Sequence, residues 1–440
     1  MRLLLQVLFV IVLSGSVWYL ASRFGGQHHL FDLRIYRSAT AYWLGGHDIY
    51  DYAQPDVVNG WLGFTYPPFA ALLLSPAALL PWGFVKWFTI GSTLAVTLLT
   101  TYWITRDLAQ RRRWPVWFTA CVGTALLFAL EPVRENMSFG QINMYLVALI
   151  LGDLLVLGRR GSRWTGVGVG IATAIKLTPG IFILYLLAAR RWRDATVASA
   201  AAAGATLLAA VADWDISWRF YTATLWDTER VGFPDNPGNQ AINGMVARID
   251  DMVPVSTTGR LTWLGLAVLV GGYGLWRAVR AHRAGDELTA ITLTGLTGVL
   301  ISPVSWTHHL YWIFPAMVIT ADVLLDGLPR RGERAAWWGR LSLVNATYWA
   351  FTMSFVWFFR RSPANHSRNN LPSVLGENAF VLLLLLLLVA TPIRPGADTP
   401  PSSPESSSED VPDDVDADLV TYPDIGRAVS REPVQLVETS

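Results

Sequence analysis

The sequence predicts an all-α polytopic membrane protein. Two observations carry this. Hydrophobic residues make up 52% of the chain and charged ones only 15%, with a mean hydropathy of +0.35. The apolar residues also gather in repeated continuous runs, many close to the ~20 residues that a helix needs to cross a bilayer core of ~30 Å. A transmembrane barrel would alternate apolar and polar residues instead. The runs predict about twelve transmembrane helices within residues 1–393, near 3–21, 84–105, 115–131, 141–157, 164–175, 178–190, 194–212, 260–280, 287–301, 307–326, 336–358 and 377–393.

Taken in order, the first run follows Met1-Arg2 and is longer than the apolar core of a signal peptide, so it is expected to stay as a helix despite Ala21-Ser22. A long polar loop follows at 22–65. Within it Leu33, Tyr36, Thr40, Trp43 and Leu44 recur at helical spacing and predict a short surface helix stopped by Gly45-Gly46. Tyr66 to Leu80 is apolar, short and rich in proline, and reads as a re-entrant or surface helix.

Arginine clusters then set the orientation, because cytoplasmic loops are enriched in Lys and Arg. They lie at 106–113, 159–163, 190–193, 277–283 and 330–334. Two runs separate each neighbouring pair, so all five fit one side, the first only if 66–80 does not cross. Both termini are then cytoplasmic. The extracytoplasmic side carries 22–65, 132–140, a kink at 176–178, the second long loop at 213–259, 302–306 and 359–376.

From Arg394 the composition turns to Pro, Ser and acid, predicting a disordered acidic cytoplasmic tail over 394–440. The net charge of +1 hides this asymmetry. The single Cys121 rules out an intrachain disulfide. A soluble enzyme and a nucleic-acid binder are both excluded.

Ionisable groups near lipid are costly and are usually functional or paired. In Phe31-Asp32-Leu33-Arg34-Ile35-Tyr36-Arg37, Asp32 reads either as a helix N-cap or as a general base, and one residue can do both. Arg34, Arg37 and Tyr66 accompany it as candidate substrate contacts. Glu131 to Asn136 with Gly140-Gln141-Ile142-Asn143 forms a turn dense in hydrogen-bonding groups. There Arg134, Gln141 and Asn143 are candidates, although Glu131 and Arg134 could simply pair with each other.

Lys176 stands before Thr178-Pro179, where proline breaks the helix. A cation at such a break suits a phosphate, or it snorkels to the interface. Asn239, Gln240 and Asn243 lie in the loop that holds Trp214, Trp218 and Trp226. Amides beside indoles suit sugar recognition, or the loop is solvated and the indoles are interfacial anchors. Ser302-Pro303-Val304-Ser305-Trp306-Thr307-His308-His309 puts two histidines and Trp306 at the mouth of a span. Adjacent histidines diverge on a helix and no carboxylate supports them, which favours phosphate over metal.

Together, the first-loop Asp, Tyr-Pro-Pro, Gly-Gln-Ile-Asn, Lys-Leu-Thr-Pro and Ser-Pro-Val-Ser-Trp-x-His-His resemble the GT-C glycosyltransferases of glycosyltransferase family 87, over about residues 20–325. The nearest resemblance is to its polyprenyl-phosphate-mannose-dependent α-1,2-mannosyltransferases. The resemblance implies a GT-C fold and an inverting transfer of mannose from polyprenyl-phosphate-mannose to a phosphatidylinositol mannoside or similar glycolipid. It further implies Asp32 as base and His308 or His309 on the donor-phosphate side, with Lys176 matched more loosely. No cofactor, no metal and no nucleic acid is expected, only lipid substrates and membrane lipids around a monomer. Lipomannan or lipoarabinomannan as acceptor, an arabinofuranosyl donor, and a lipid or solute transporter are the alternatives.

Overall fold

A computed structural model describes residues 1–24, 26–56, 60–250, 255–359 and 371–398, without the side chains of Thr228 and Glu229. Most of the expected tail (399–440) and most of the loop at 359–376 lie outside the described residues. Among those residues the only sheet is a hairpin of β1 (Ala53–Asp56) and β2 (Gly60–Gly63), with Ala53 opposite Gly63. Most of the remaining described residues are helical.

Helix α1 (Arg2–Phe24) leads to α2 (Phe31–Leu44), the surface helix that the spacing predicts. It buries Leu33, Ile35, Tyr36, Ala39 and Thr40 and stops at Gly45. Next come α3 (Pro68–Leu74) and α4 (Pro76–Leu79). Even end to end they rise only ~18 Å, too little to cross a bilayer core. Helix α5 (Trp82–Arg111) is followed by α6 (Val116–Ala129), which turns by 78° into α7 (Glu131–Phe139) at a proline. Then follow α8 (Asn143–Leu151), continued by a π-helical turn to Leu157, α9 (Val167–Ile175), α10 (Ile181–Ala188) and α11 (Trp192–Ala212). The second long loop holds α12 (Trp214–Thr222) and α13 (Ile242–Asp250). The last helices among the described residues are α14 (Thr257–Arg283), α15 (Glu287–Ile301), α16 (Ile313–Leu324), α17 (Arg334–Thr352), α18 (Leu371–Glu377) and α19 (Ala379–Ala390).

The span count departs from the sequence expectation. Among the described residues three helices, α1, α5 and α11, are long and apolar enough to cross a membrane, or five if the bent pairs α6–α7 and α18–α19 each count as one. Several other apolar runs are broken or shortened by Pro, Gly or Lys, as at Lys176 between α9 and α10. The exterior is that of a membrane protein. Leu3, Leu4, Phe9, Phe84, Trp87, Phe88, Leu207, Leu208, Val268 and Leu269 all point outward, an apolar surface that water does not tolerate on this scale.

The bundle has two chemically different ends. Arg111 and Arg112 pair with Asp322 at 2.5 and 3.4 Å, and Arg394 joins Asp322 (3.0 Å) to Asp286 (2.7 Å). Arg159 pairs with Asp107 and Asp398, and Arg191 and His282 share Glu287. Arginines from separate clusters therefore meet at one end, with Arg394 and Asp398 tied into the same network. From this end α15 runs to Ser302, and α16 runs back from the histidine pair to Asp322. Helix α8 likewise joins Asn143 to the segment holding Arg159. The other end carries the loops with the unusual polar residues.

Asp286 is fully buried, caps α15 through Thr289, and takes both the side chain and the backbone N–H of Arg394. Removing one partner of such a pair leaves a buried charge uncompensated. Arg394→Ala is expected to cost about 3 kcal/mol, measured as a lower unfolding midpoint in detergent. An unchanged midpoint would mean that Arg394 does not brace this end.

Candidate active site

Two backbone features place Asp32. Residues His29 and Leu30 both adopt left-handed conformations (φ 52° and 59°) immediately before α2. Such strain persists only where the surroundings enforce it. Here Ser138 enforces it, its carbonyl taking the Leu30 N–H and its hydroxyl the His28 N–H. Gly140 ends α7 at φ 70°, and a Cβ there would come within 2.7 Å of the Leu33 Cβ. Glycine in Gly-Gln-Ile-Asn thus lets α2 settle against α7.

Asp32 is not an N-cap. Leu30 holds that position, with no side-chain cap bond. Asp32 Oδ2 instead accepts from Gln141 Nε2 at 2.5 Å, and Gln141 Oε1 accepts from the Tyr36 and Tyr66 hydroxyls, each at 3.0 Å. That pattern also fixes which way the Gln141 amide faces. Asp32 lines a cavity of about 920 Å³. Burial pushes its carboxyl up to about 7, against the pull of the Gln141 hydrogen bond and the Lys176 charge.

On the same cavity, α9 ends at Lys176, which is extended (φ −149°) ahead of the Thr178–Gly180 turn. Its Nζ lies 3.0 Å from Asn143 Oδ1 and 2.9 Å from His309 Nε2, over the Tyr66 ring. His309 Nδ1 accepts the Trp306 N–H at 3.1 Å. The contact with His309 Nε2 holds the Lys176 amine beside the histidine pair. Burial moves Lys176 down to about 7 against the attraction of Asp32.

Both histidines sit in the turn between α15 and α16, and burial holds them well below the ordinary histidine value, helped by the nearby Lys176 charge. His308 is buried and lines the cavity, and its Nε2 has no hydrogen-bond partner.

Of the sequence candidates, Asp32, Tyr66, Gln141, Lys176, Trp306, His308 and His309 meet on this one cavity. Asn143 stands behind Lys176 and bonds Asn136, which in turn holds the His308 carbonyl at 2.6 Å. The others are placed elsewhere. Arg34 and Arg37 turn away on the far side of α2, binding the His29 and Leu80 carbonyls. Arg134 is buried against the carbonyls of Ala129 and Thr352 and the Ser354 hydroxyl. It does not pair with Glu131, which accepts from Trp357 Nε1.

Asn239, Gln240 and Asn243 spend their amides on backbone. Asn239 Oδ1 takes the Ser305 N–H, Gln240 bonds the Glu377 carbonyl and the Val381 N–H, and Asn243 bonds the Pro303 carbonyl. They brace the segment that carries Trp306 and the histidines. Sequence reasoning missed His28, Glu135, Arg230 and Trp357, which also line the cavity. Glu135 lies next to the predicted Arg134, and only the rotation of α7 separates the two.

Comparison with known proteins identifies the family. The chain is 32% identical over 401 residues to the polyprenol-phosphate-mannose-dependent alpha-(1-2)-phosphatidylinositol mannoside mannosyltransferase of Mycobacterium tuberculosis, covering 80% of this chain and 89% of the relative. It is 33% identical over 362 residues to the corresponding pentamannoside mannosyltransferase of Mycolicibacterium smegmatis, covering 78% and 81%. The crystal structure of ArnT from Cupriavidus metallidurans aligns with 90% of this chain and 78% of its own, at 18% identity and a TM-score of 0.39. Residues 64–303, more than half of the chain, match a single family, and with these relatives they make the protein a member of glycosyltransferase family 87.

Proposed function

We propose that the protein transfers mannose from polyprenyl-phosphate-mannose to a phosphatidylinositol mannoside, with inversion, forming an α-(1→2) linkage on the extracytoplasmic face. The observation that carries this is the meeting of Asp32, Lys176 and the histidine pair on one cavity, in a chain whose relatives bear that activity in their names. Asp32 takes the proton of the acceptor hydroxyl as its oxygen bonds C1. The C1–O bond to phosphate breaks, and polyprenyl phosphate leaves with one more negative charge. No acid need protonate it, because that charge is met by preorganised donors.

The geometry divides labour between the histidines. His309 is committed to Trp306 and Lys176, whereas His308 lines the cavity and its buried Nε2 has no partner in the protein. We assign His308 to the phosphate oxygens and His309 to holding Lys176 beside them. Lipid substrates account for the membrane body. The arginine-rich end faces the cytoplasm.

The test is transfer by purified protein in lipid nanodiscs, with the linkage of the product determined. Mannose is expected to move from a polyprenyl-phosphate donor and not from GDP-mannose, giving a 1→2 product. Transfer from the nucleotide sugar, another linkage, or lipid flux without transfer would each refute the assignment.

A further inference from the structure

Next to the proposed base and phosphate groups the cavity wall holds a second carboxylate. Glu135 is 7% exposed and lines the cavity. Its Oε2 pairs with His28 Nε2 at 2.7 Å, while Oε1 has no hydrogen-bond partner among the described residues. Oε1 is also absent from the sealed-off polar atoms, so it opens toward the cavity. His28 is itself fixed. Its ring stacks on Phe139 at 3.7 Å and 9°, and its backbone N–H bonds the Ser138 hydroxyl.

The position of this pair says what it meets. The His28 carbonyl takes the Phe31 N–H one residue before Asp32, and Phe139, stacked on His28, lies 5.4 Å ring to ring from His308. The pair thus stands between the base side and the phosphate side. In an inverting displacement those two groups sit on opposite faces of C1, so the sugar between them is the donor's. A buried carboxylate with one oxygen anchored and the other open is suited to accept from hydroxyls of such a ring, since hydrogen bonds to charged groups are the stronger kind.

We propose that Glu135, positioned by His28, accepts hydrogen bonds from one or two neighbouring hydroxyls of the donor sugar and so selects that sugar. This rests on the mannosyl-transfer reading above. The experiment measures kcat/KM for wild type, Glu135→Ala, Glu135→Gln and His28→Ala with a short polyprenyl phosphate carrying mannose or 2-, 3-, 4- or 6-deoxymannose. Wild type is expected to lose about 10- to 100-fold on the deoxy donor that lacks the recognised hydroxyl. Glu135→Ala loses as much on mannose and shows no further loss on that donor. The near-isosteric Glu135→Gln, which retains an acceptor, shows the same pattern at smaller amplitude, as does His28→Ala.

A merely structural role would lower all donors equally. Equal losses on every donor, or none, would overturn the inference and leave the mannosyl-transfer reading standing. No transfer by wild type from any of these donors would overturn both.

Discussion

Asp32→Asn is expected to lower transfer by about 10²- to 10⁴-fold, the range a lost general base accounts for, while the protein still folds. The amide fills the same space and its oxygen can still accept from Gln141 Nε2. No helix cap is lost, because Leu30 and not Asp32 holds that position. The pH dependence of stability supplies a control. Burial raises the carboxyl from 3.8 to about 7, so the native state favours the protonated form. Wild type therefore keeps this contribution below pH 4 and loses it as pH rises through 7. The asparagine variant has no such loss, so its unfolding midpoint should gain on wild type between pH 4 and 8. Transfer retained within tenfold of wild type would remove Asp32 from the role of base. An equal midpoint difference at every pH would contradict its burial.

What could be read from the sequence, and what could not, follows from what each signal reports. The Leu33, Tyr36 and Thr40 stripe specifies α2 because a helix repeats its buried face every three or four residues. The same 100° step puts Arg34 and Arg37 well away from Asp32, a consequence already present in the spacing. Lys176 was legible because a cation beside a helix-breaking proline near lipid has few structural uses.

Arg134 and Glu135 differ by one residue. Only the packing of α7 against the Gly26–Leu30 segment decides which of them turns into the cavity. The amides of Asn239, Gln240 and Asn243 look like sugar ligands next to tryptophans. The segment they brace has no regular ladder, and its buried N–H and C=O groups need side-chain partners instead. Hydropathy reports apolar content and not continuity, so twelve apolar runs correspond to only three to five helices both long and apolar enough to cross a membrane among the described residues.

The pH profile of transfer should be a narrow bell centred near neutrality, and Lys176 should own its alkaline limb. Asp32 must be ionised to act as base, so kcat/KM falls as pH drops through about 7. Lys176 must be protonated to meet the growing phosphate charge, so kcat/KM falls again as pH rises through about 7. The two groups attract each other, and the limbs belong to the pair. Lys176→Arg keeps a cation whose own pKa is above 12, which should move the alkaline limb out of range and leave a plateau. Lys176→Met should lower transfer by about 10²- to 10³-fold, the cost of one lost donor at a developing anion, and abolish that limb. It should also shift the acid limb upward, because Asp32 loses the positive neighbour that was holding its carboxyl down. An alkaline limb unchanged in Lys176→Arg would assign that titration to another group and separate Lys176 from the leaving phosphate.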